Sequence, residues 1–569
     1  MKKGIVILLI HLLGSIVLFS QGSGSEISKK VSISGQVSLF GSTYTTTDSF
    51  ASLSPKNYGV SLAFSLKTKY ITLPFSFRYA NNGRNASYPF IRYGIAPKYK
   101  WAKFYLGNNN INFSRYAFTG LNVFGIGFEI NPSIFYLGAF TGRFQKAVFI
   151  DSTDVSYQRI LPRYQTKGYV IKAGIKSRKN AVLFCYSSGA DDENSIKYFN
   201  PKYKLSPRKS KSLGSEILLT LYKNFAYQFN GGMSIFTRNI NAFDIDIFLR
   251  NSGENKLPSW ARSIEKNPNI TTSLAFAYDH LLSYGGKTFH LNLRYKYIQP
   301  EYKALSLANI NTDLTQMSIE PGFKLLKQKL NVNFVYGIQS NNVNKKLLTQ
   351  NKNTIFNFNA NYTPNDRFNT TIVLSNFGIV SNAANPEQVD SISIQNVSSN
   401  ININSYYALS KSIDITNSLN ISLSIQGLKE IYEFNPLFNK TFTNTNANIN
   451  YNHNAAKGHS YSLGVNYNNS YSQFLSSQNI NGNVKSYGTN ATYSIPVIVE
   501  KLLCSFNGSF NLAGAEGEKA KPAIAVGISA TLTLSKKSNL VVSYNLSKMT
   551  ISEKDITQNY FNANITQNF

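Results

Sequence analysis

The residues that could do chemistry are few. Beyond the first thirty residues the chain has four histidines, His280, His290, His453 and His459, and two cysteines, Cys185 and Cys504. A zinc site needs several such ligands at close spacing, as in HExxH or paired CxxC motifs. Neither motif occurs, and the two cysteines stand too far apart in sequence to suggest a disulfide framework. Asp191, Asp192 and Glu193 are adjacent carboxylates of the kind that hold Ca²⁺ through oxygen. The EF-hand spacing is missing, and a solvated loop is the simpler reading. There is no GxSxG elbow, phosphate loop or dinucleotide fingerprint. Lone acids such as Glu129 and Glu216 do not by themselves make a glycosidase pair. The expectation is a protein that is not an enzyme, with no cofactor, no metal and no covalent chemistry.

Cations are the other chemical resource. The formal net charge is +30, yet charged residues make up only 15% of the chain and aromatics 14%. The lysines and arginines are scattered rather than clustered, which argues against nucleic acid as a partner. Their spacing within short apolar runs is more telling. In residues 287–297, Phe289, Leu291, Leu293, Tyr295 and Tyr297 alternate with His290, Asn292, Arg294 and Lys296. In residues 71–79, Phe75, Phe77 and Tyr79 alternate with Ser76 and Arg78. Successive side chains of a strand point to opposite faces. Arg78, His290, Arg294 and Lys296 therefore share the polar face of their strands. So do Asn444, Asn446, Asn448, Asn450 and Asn452 further along.

The elements that must position these residues are strands throughout. One face carries Phe, Tyr, Leu and Ile; the other carries Asn, Ser, Thr and Gly. A soluble sandwich also alternates, but the connections here follow a rule a sandwich has no reason to keep. Short ones, such as 67–69, 177–180, 223–224 and 327–329, alternate with long polar ones, such as 107–120, 187–212, 239–269 and 300–313. Outer-membrane barrels have short periplasmic turns and long outer loops, with lipid outside and a polar lumen inside. Residues 1–20 read as a secretory signal peptide, with Lys2 and Lys3 before a short apolar core. Residues 21–30 form a short periplasmic segment and 31–569 the barrel. The fold class expected is all-β: a single transmembrane antiparallel up-and-down β-barrel of about 26 strands, within a range of roughly 24–28.

The last strand carries Phe561, Ile565 and Phe569 on one face. It resembles the C-terminal targeting signal of outer-membrane β-barrel proteins, which implies insertion by the barrel-assembly machinery. The Lys/Asn/Tyr-rich style, with the runs RYGIAPKYKWAKFYLG and GFEINPSIFYLGAFTGRFQKAV, is similar to large uncharacterised barrels of Bacteroidota. That resemblance covers about a tenth of the chain and implies no activity.

Lumens widen with strand number, and barrels of 22 strands are plugged. Inward-folded loops or a partner should therefore fill so wide a hole. Residues 144–167 are one candidate, with Lys146, Arg159, Arg163 and Lys167 as inward cations. The lumen-lining candidates are Arg78, His290, Arg294, Lys296, Asn446, Asn448 and Asn450. The functional expectation is a polar, basic-lined conduit in the outer membrane for solute or export traffic. The alternative is a non-transporting anchor for surface or secretion-machinery proteins, with a barrel enzyme third. Expected partners are outer-membrane lipid, the assembly machinery and a plug or surface protein.

Overall fold

A computed structural model describes residues 31–47, 56–80, 91–148, 162–196, 205–244, 258–308, 310–383, 393–412, 414–432, 436–455, 458–474, 480–535, 537–551 and 554–568. The signal-peptide and N-terminal segments, Arg159 and Phe569 lie outside them. The described chain is one antiparallel sheet that closes on itself. Each strand pairs with its sequence neighbours, and the last strand, Lys554–Asn568, pairs with the first, Val31–Thr46, from Gln36↔Asn568 to Thr46↔Gln558. Closure satisfies every edge, which an open sheet in hydrocarbon cannot do.

The 27 strand segments make 26 staves. Ile91–Ile95 and Lys98–Tyr99 both pair with Ile71–Ala80 on one side and Ala102–Asn110 on the other. They are one stave, interrupted at Ala96 and Pro97. Pro97 has no N–H to give the ladder, but its carbonyl accepts from the Phe104 amide at 2.8 Å. At about 4.8 Å per strand and a tilt of about 40°, 26 staves enclose a cylinder about 50 Å across.

Side-specific connections hold round the barrel except at its last hairpin. Every second connection is two to four residues long, from 69–70 to 536–537. The opposite end carries the longer connections, up to the one between Thr237 and Thr272, save that only two residues separate Ile551 from Lys554. On that end the late connections are shorter than their composition suggests. Lys440–Ala455, Ser460–Phe474 and Ile480–Ile498 run to 16, 15 and 19 residues. Much of what reads as polar loop, such as residues 427–432 and 480–485, is strand. A polar strand above the membrane and a polar loop look alike in composition, and only pairing separates them. Strands Ala102–Asn110 to Leu330–Ser340 have 9–14 residues, so the wall is tall on one side.

Large apolar side chains face outward. In Ala181–Asp192, Phe184 is 61% exposed while Cys185, its neighbour in sequence, is 3% exposed. This inverts a soluble protein: the outer surface is the greasy one, and hydrocarbon is the solvent it fits. The chain is a multi-pass β-barrel of the outer membrane.

Candidate functional site

The buried core lies inside the cylinder. Between strands Ala102–Asn110 and Asn122–Ile130, residues 111–121 turn into the lumen as a tongue. Phe113 and Ser114 amides donate to the Phe118 carbonyl at 3.0 and 3.1 Å, and the Phe118 amide returns a bond to Ser114 at 3.0 Å. Ile111, Phe113, Tyr116, Ala117 and Phe118 are all buried. Burying each of the larger ones is worth about 1.5–3 kcal/mol. A second segment, residues 299–308 and 310–313, lies against the tongue. Thr119 bridges Leu307, and the Ala308 amide donates to the Thr119 carbonyl at 3.0 Å. Tyr302 donates to the Tyr116 carbonyl at 2.6 Å.

The wall is shaped to receive this plug. Facing it are Gly138, Gly214, Gly232, Ala275 and Ala277. A Cβ on Gly232 would sit 2.3 Å from both Tyr116 Cβ and the Tyr302 hydroxyl, and one on Gly214 would sit 2.4 Å from Ser114 Oγ. Wall hydroxyls tie down loop backbone, which has no ladder of its own. Ser187 donates to the Ala117 carbonyl at 2.9 Å, Ser210 accepts from the Leu305 amide at 2.9 Å, and Ser234 donates to the Lys303 carbonyl. Lys172 is buried; it donates to the Phe113 carbonyl and pairs with Glu216 at 2.5 Å. Removing either member of such a pair strands a charge, at about 3–5 kcal/mol.

At the exposed tip of the tongue stands Arg115, paired at 2.7 Å with the buried Asp279. Lys296 is the cross-strand partner of Asp279, and Arg294 lies two residues back on the same face. Arg294 meets Glu320 at 3.3 Å. The tongue and the strands Thr272–Gly285, Phe289–Ile298 and Leu314–Leu325 thus converge three cations and two acids.

The other sequence-derived residues fall as follows. Arg78 and His290 are on the lumen parity; Arg78 is opposite Arg92, and His290 is opposite Gly322, whose missing Cβ leaves room for the ring. Asn446, Asn448 and Asn450 are also on the lumen parity, on the wall away from the plug. There they pair in register with Ser424, Ser422 and Asn420, and Asn448 donates to Ser422 at 3.4 Å. Among the described residues no hydrogen bond, ion pair or core contact joins the plug to strands 349–568. Phe144 packs inward on Phe118, with ring centroids 5.2 Å apart. Beyond it, Val148 and Arg163 bridge, and Arg163 Nε donates to the Lys146 carbonyl at 3.3 Å. Lys167 lies on the outward parity and pairs with Asp192 at 2.7 Å. Phe561 and Ile565 face outward, both 41% exposed. Among the described residues no three His, Cys, Asp or Glu side chains gather to hold a metal.

The tongue escaped the sequence reading, although it left a signal. Ile111, Phe113, Tyr116 and Phe118 make residues 107–120 too apolar for a loop in water.

No known protein family matches the sequence, and no curated protein is similar to it. Among solved structures, the chain is similar in fold to OccK11 (OpdR) of Pseudomonas aeruginosa, at 8% identity over 95% of this chain and 96% of that one, with a TM-score of 0.30. It is also similar to OccD3 (OpdP) of the same organism, at 8% identity over 94% and 91%, TM-score 0.29. OccAB3 of Acinetobacter baumannii shares 12% identity over 94% and 99%, TM-score 0.26. At these values the likeness carries no weight for what the chain does.

Proposed function

We propose that the barrel is a passive conduit for polar solutes, narrowed by its own plug. The observation that carries this reading is the asymmetry of the lumen. One half-wall holds the tongue and its partner segment; the other presents rows of Asn and Ser, half-buried and, among the described residues, free of plug contact. Amide and hydroxyl groups exchange hydrogen bonds with water readily, so such a wall sustains a wet path. Arg115, Arg294 and Lys296 border that path and favour anions, as rings of Arg or Lys do in anion pores. Solute moves by diffusion, with no step that makes or breaks a covalent bond. The composition fits a Bacteroidota source, and the C-terminal strand fits delivery by the barrel-assembly machinery.

Planar-bilayer recording tests the proposal. The purified barrel is expected to give stable, long-lived conductance steps without any added protein. An electrically silent barrel that co-purifies with a stoichiometric partner would instead make it an anchor.

A further inference from the structure

The outer wall carries a feature that conduction does not use. Near the long-loop end, the outward residues of five neighbouring strands form one lateral row. Phe124 is opposite Arg143, Arg143 opposite Lys167, Lys167 opposite Ala190, and Ala190 opposite Lys209. Adjacent strands are about 4.8 Å apart, so three cations lie within about 15 Å on a lipid-facing surface. Lys209 and Lys211 are engaged by Glu265 at 2.8 and 3.4 Å. Burial pushes that carboxyl up, but hydrogen bonding and charge from the two lysines bring it below the usual range. Arg143 and Lys167 are different. Arg143 is half-buried over the Phe124 ring at 5.0 Å, with no carboxylate partner among the described residues. Lys167 keeps 61% of its side chain exposed despite its pair with Asp192.

Arg143 and Lys167 line an outer groove of about 670 Å³, with Tyr169 and Ser188. Toward mid-membrane lies a second groove, of about 530 Å³, which shares strands Gln165–Lys176 and Ala181–Asp192 with the first and runs sideways from them as far as Thr272–Gly285. It is walled by Ile171, Phe184, Tyr186, Leu213 and Met233 and floored where Gly231 has no side chain. A basic groove that meets an apolar one diagonally below it, both on the outer wall, matches a molecule with an anionic head and hydrocarbon tails. Trp260, on the short helix Ser259–Ile264, stands close by against Phe276, a placement typical of the membrane–water interface.

We infer that this pair of grooves is a site for a phosphate-bearing outer-leaflet lipid, its head held by Arg143 and Lys167 and an acyl chain lying in the lower groove. Guanidinium and ammonium donors to phosphate are charge-assisted and stronger than neutral hydrogen bonds. Neither residue lines the conduit.

Native mass spectrometry of the full chain in detergent tests this. The probes are bis-phosphorylated lipid A, its dephosphorylated form and inorganic phosphate. One retained phosphorylated lipid per barrel is expected. Occupancy should fall about tenfold or more in Arg143→Gln/Lys167→Gln, the worth of one or two charge-assisted bonds. Lys485→Gln, on the opposite wall, should retain it. Heat-modifiable gel migration shows that each variant is folded. Equal retention of the dephosphorylated lipid, full retention by the double variant, displacement by inorganic phosphate, or a second copy of the chain in place of lipid would each overturn the assignment.

Discussion

Excising residues 112–120 and joining the strands with a short Gly-Ser bridge raises single-channel conductance several-fold. The tongue obstructs part of a cylinder about 50 Å across, and it also holds the second segment in place. Without it, Tyr302 loses its acceptor on Tyr116, Ser306 loses the Ala117 carbonyl at 2.6 Å, and Ala308 loses Thr119. The barrel itself persists, because each of the 26 staves is held by its neighbours and none depends on the plug. Stability falls, since Val123, Phe140 and Val170 pass from a packed core to water at about 1.5–3 kcal/mol for each large side chain. Bilayer recording beside denaturant unfolding separates the two effects. Unchanged conductance in a folded deletion variant would mean that the tongue does not obstruct the path.

Arg294→Glu with Lys296→Glu turns an anion preference into a cation preference. Each substitution moves the local charge by two units, four together; Glu320 loses Arg294, and Asp279 keeps Arg115 alone. Reversal potentials under a salt gradient report the sign directly. The effect is largest near 0.1 M salt, where the Debye length is about 10 Å, and fades toward 1 M, where it is about 3 Å. Selectivity that stays anionic would place the controlling charge elsewhere, with Arg78 and its neighbour Arg92 next in line.

The architecture was legible because two simple regularities repeat along the whole chain. Parity alone assigns Leu291 outward and Arg294 inward, and the alternation of two-to-four-residue turns with longer connections counts the staves. The plug was less legible. Gly138, Gly214, Gly232, Ala275 and Ala277 read as unremarkable small residues on a polar face. Their meaning depends on Tyr116 and Phe113 arriving from another connection, and a contact of that kind has no period in the sequence. Residues 144–167 draw notice through their charges, and the part of them seen to enter the core is the Phe144 ring; residues 111–121 likewise enter the lumen through apolar side chains. Charge suits a wet lumen, but it does not fasten a loop there; buried aromatics and wall hydroxyls do. The height of the wall from Thr349 to Ile498 was hidden for a similar reason, since Asn and Ser serve strand and loop equally.

The most direct test of a wet path along the Asn wall is thiol blockade. Asn448→Cys places a thiol on the lumen parity, and Val465→Cys places one on the lipid face, where Val465 is 58% exposed. The native thiols should stay silent, because Cys185 is buried against the plug and Cys504 is on the outward parity. A bulky, charged methanethiosulfonate added in water is expected to reduce the current of Asn448→Cys and leave Val465→Cys and the wild type unchanged. An Asn448→Cys barrel whose current ignores the reagent, or that carries no current at all, would contradict the conduit.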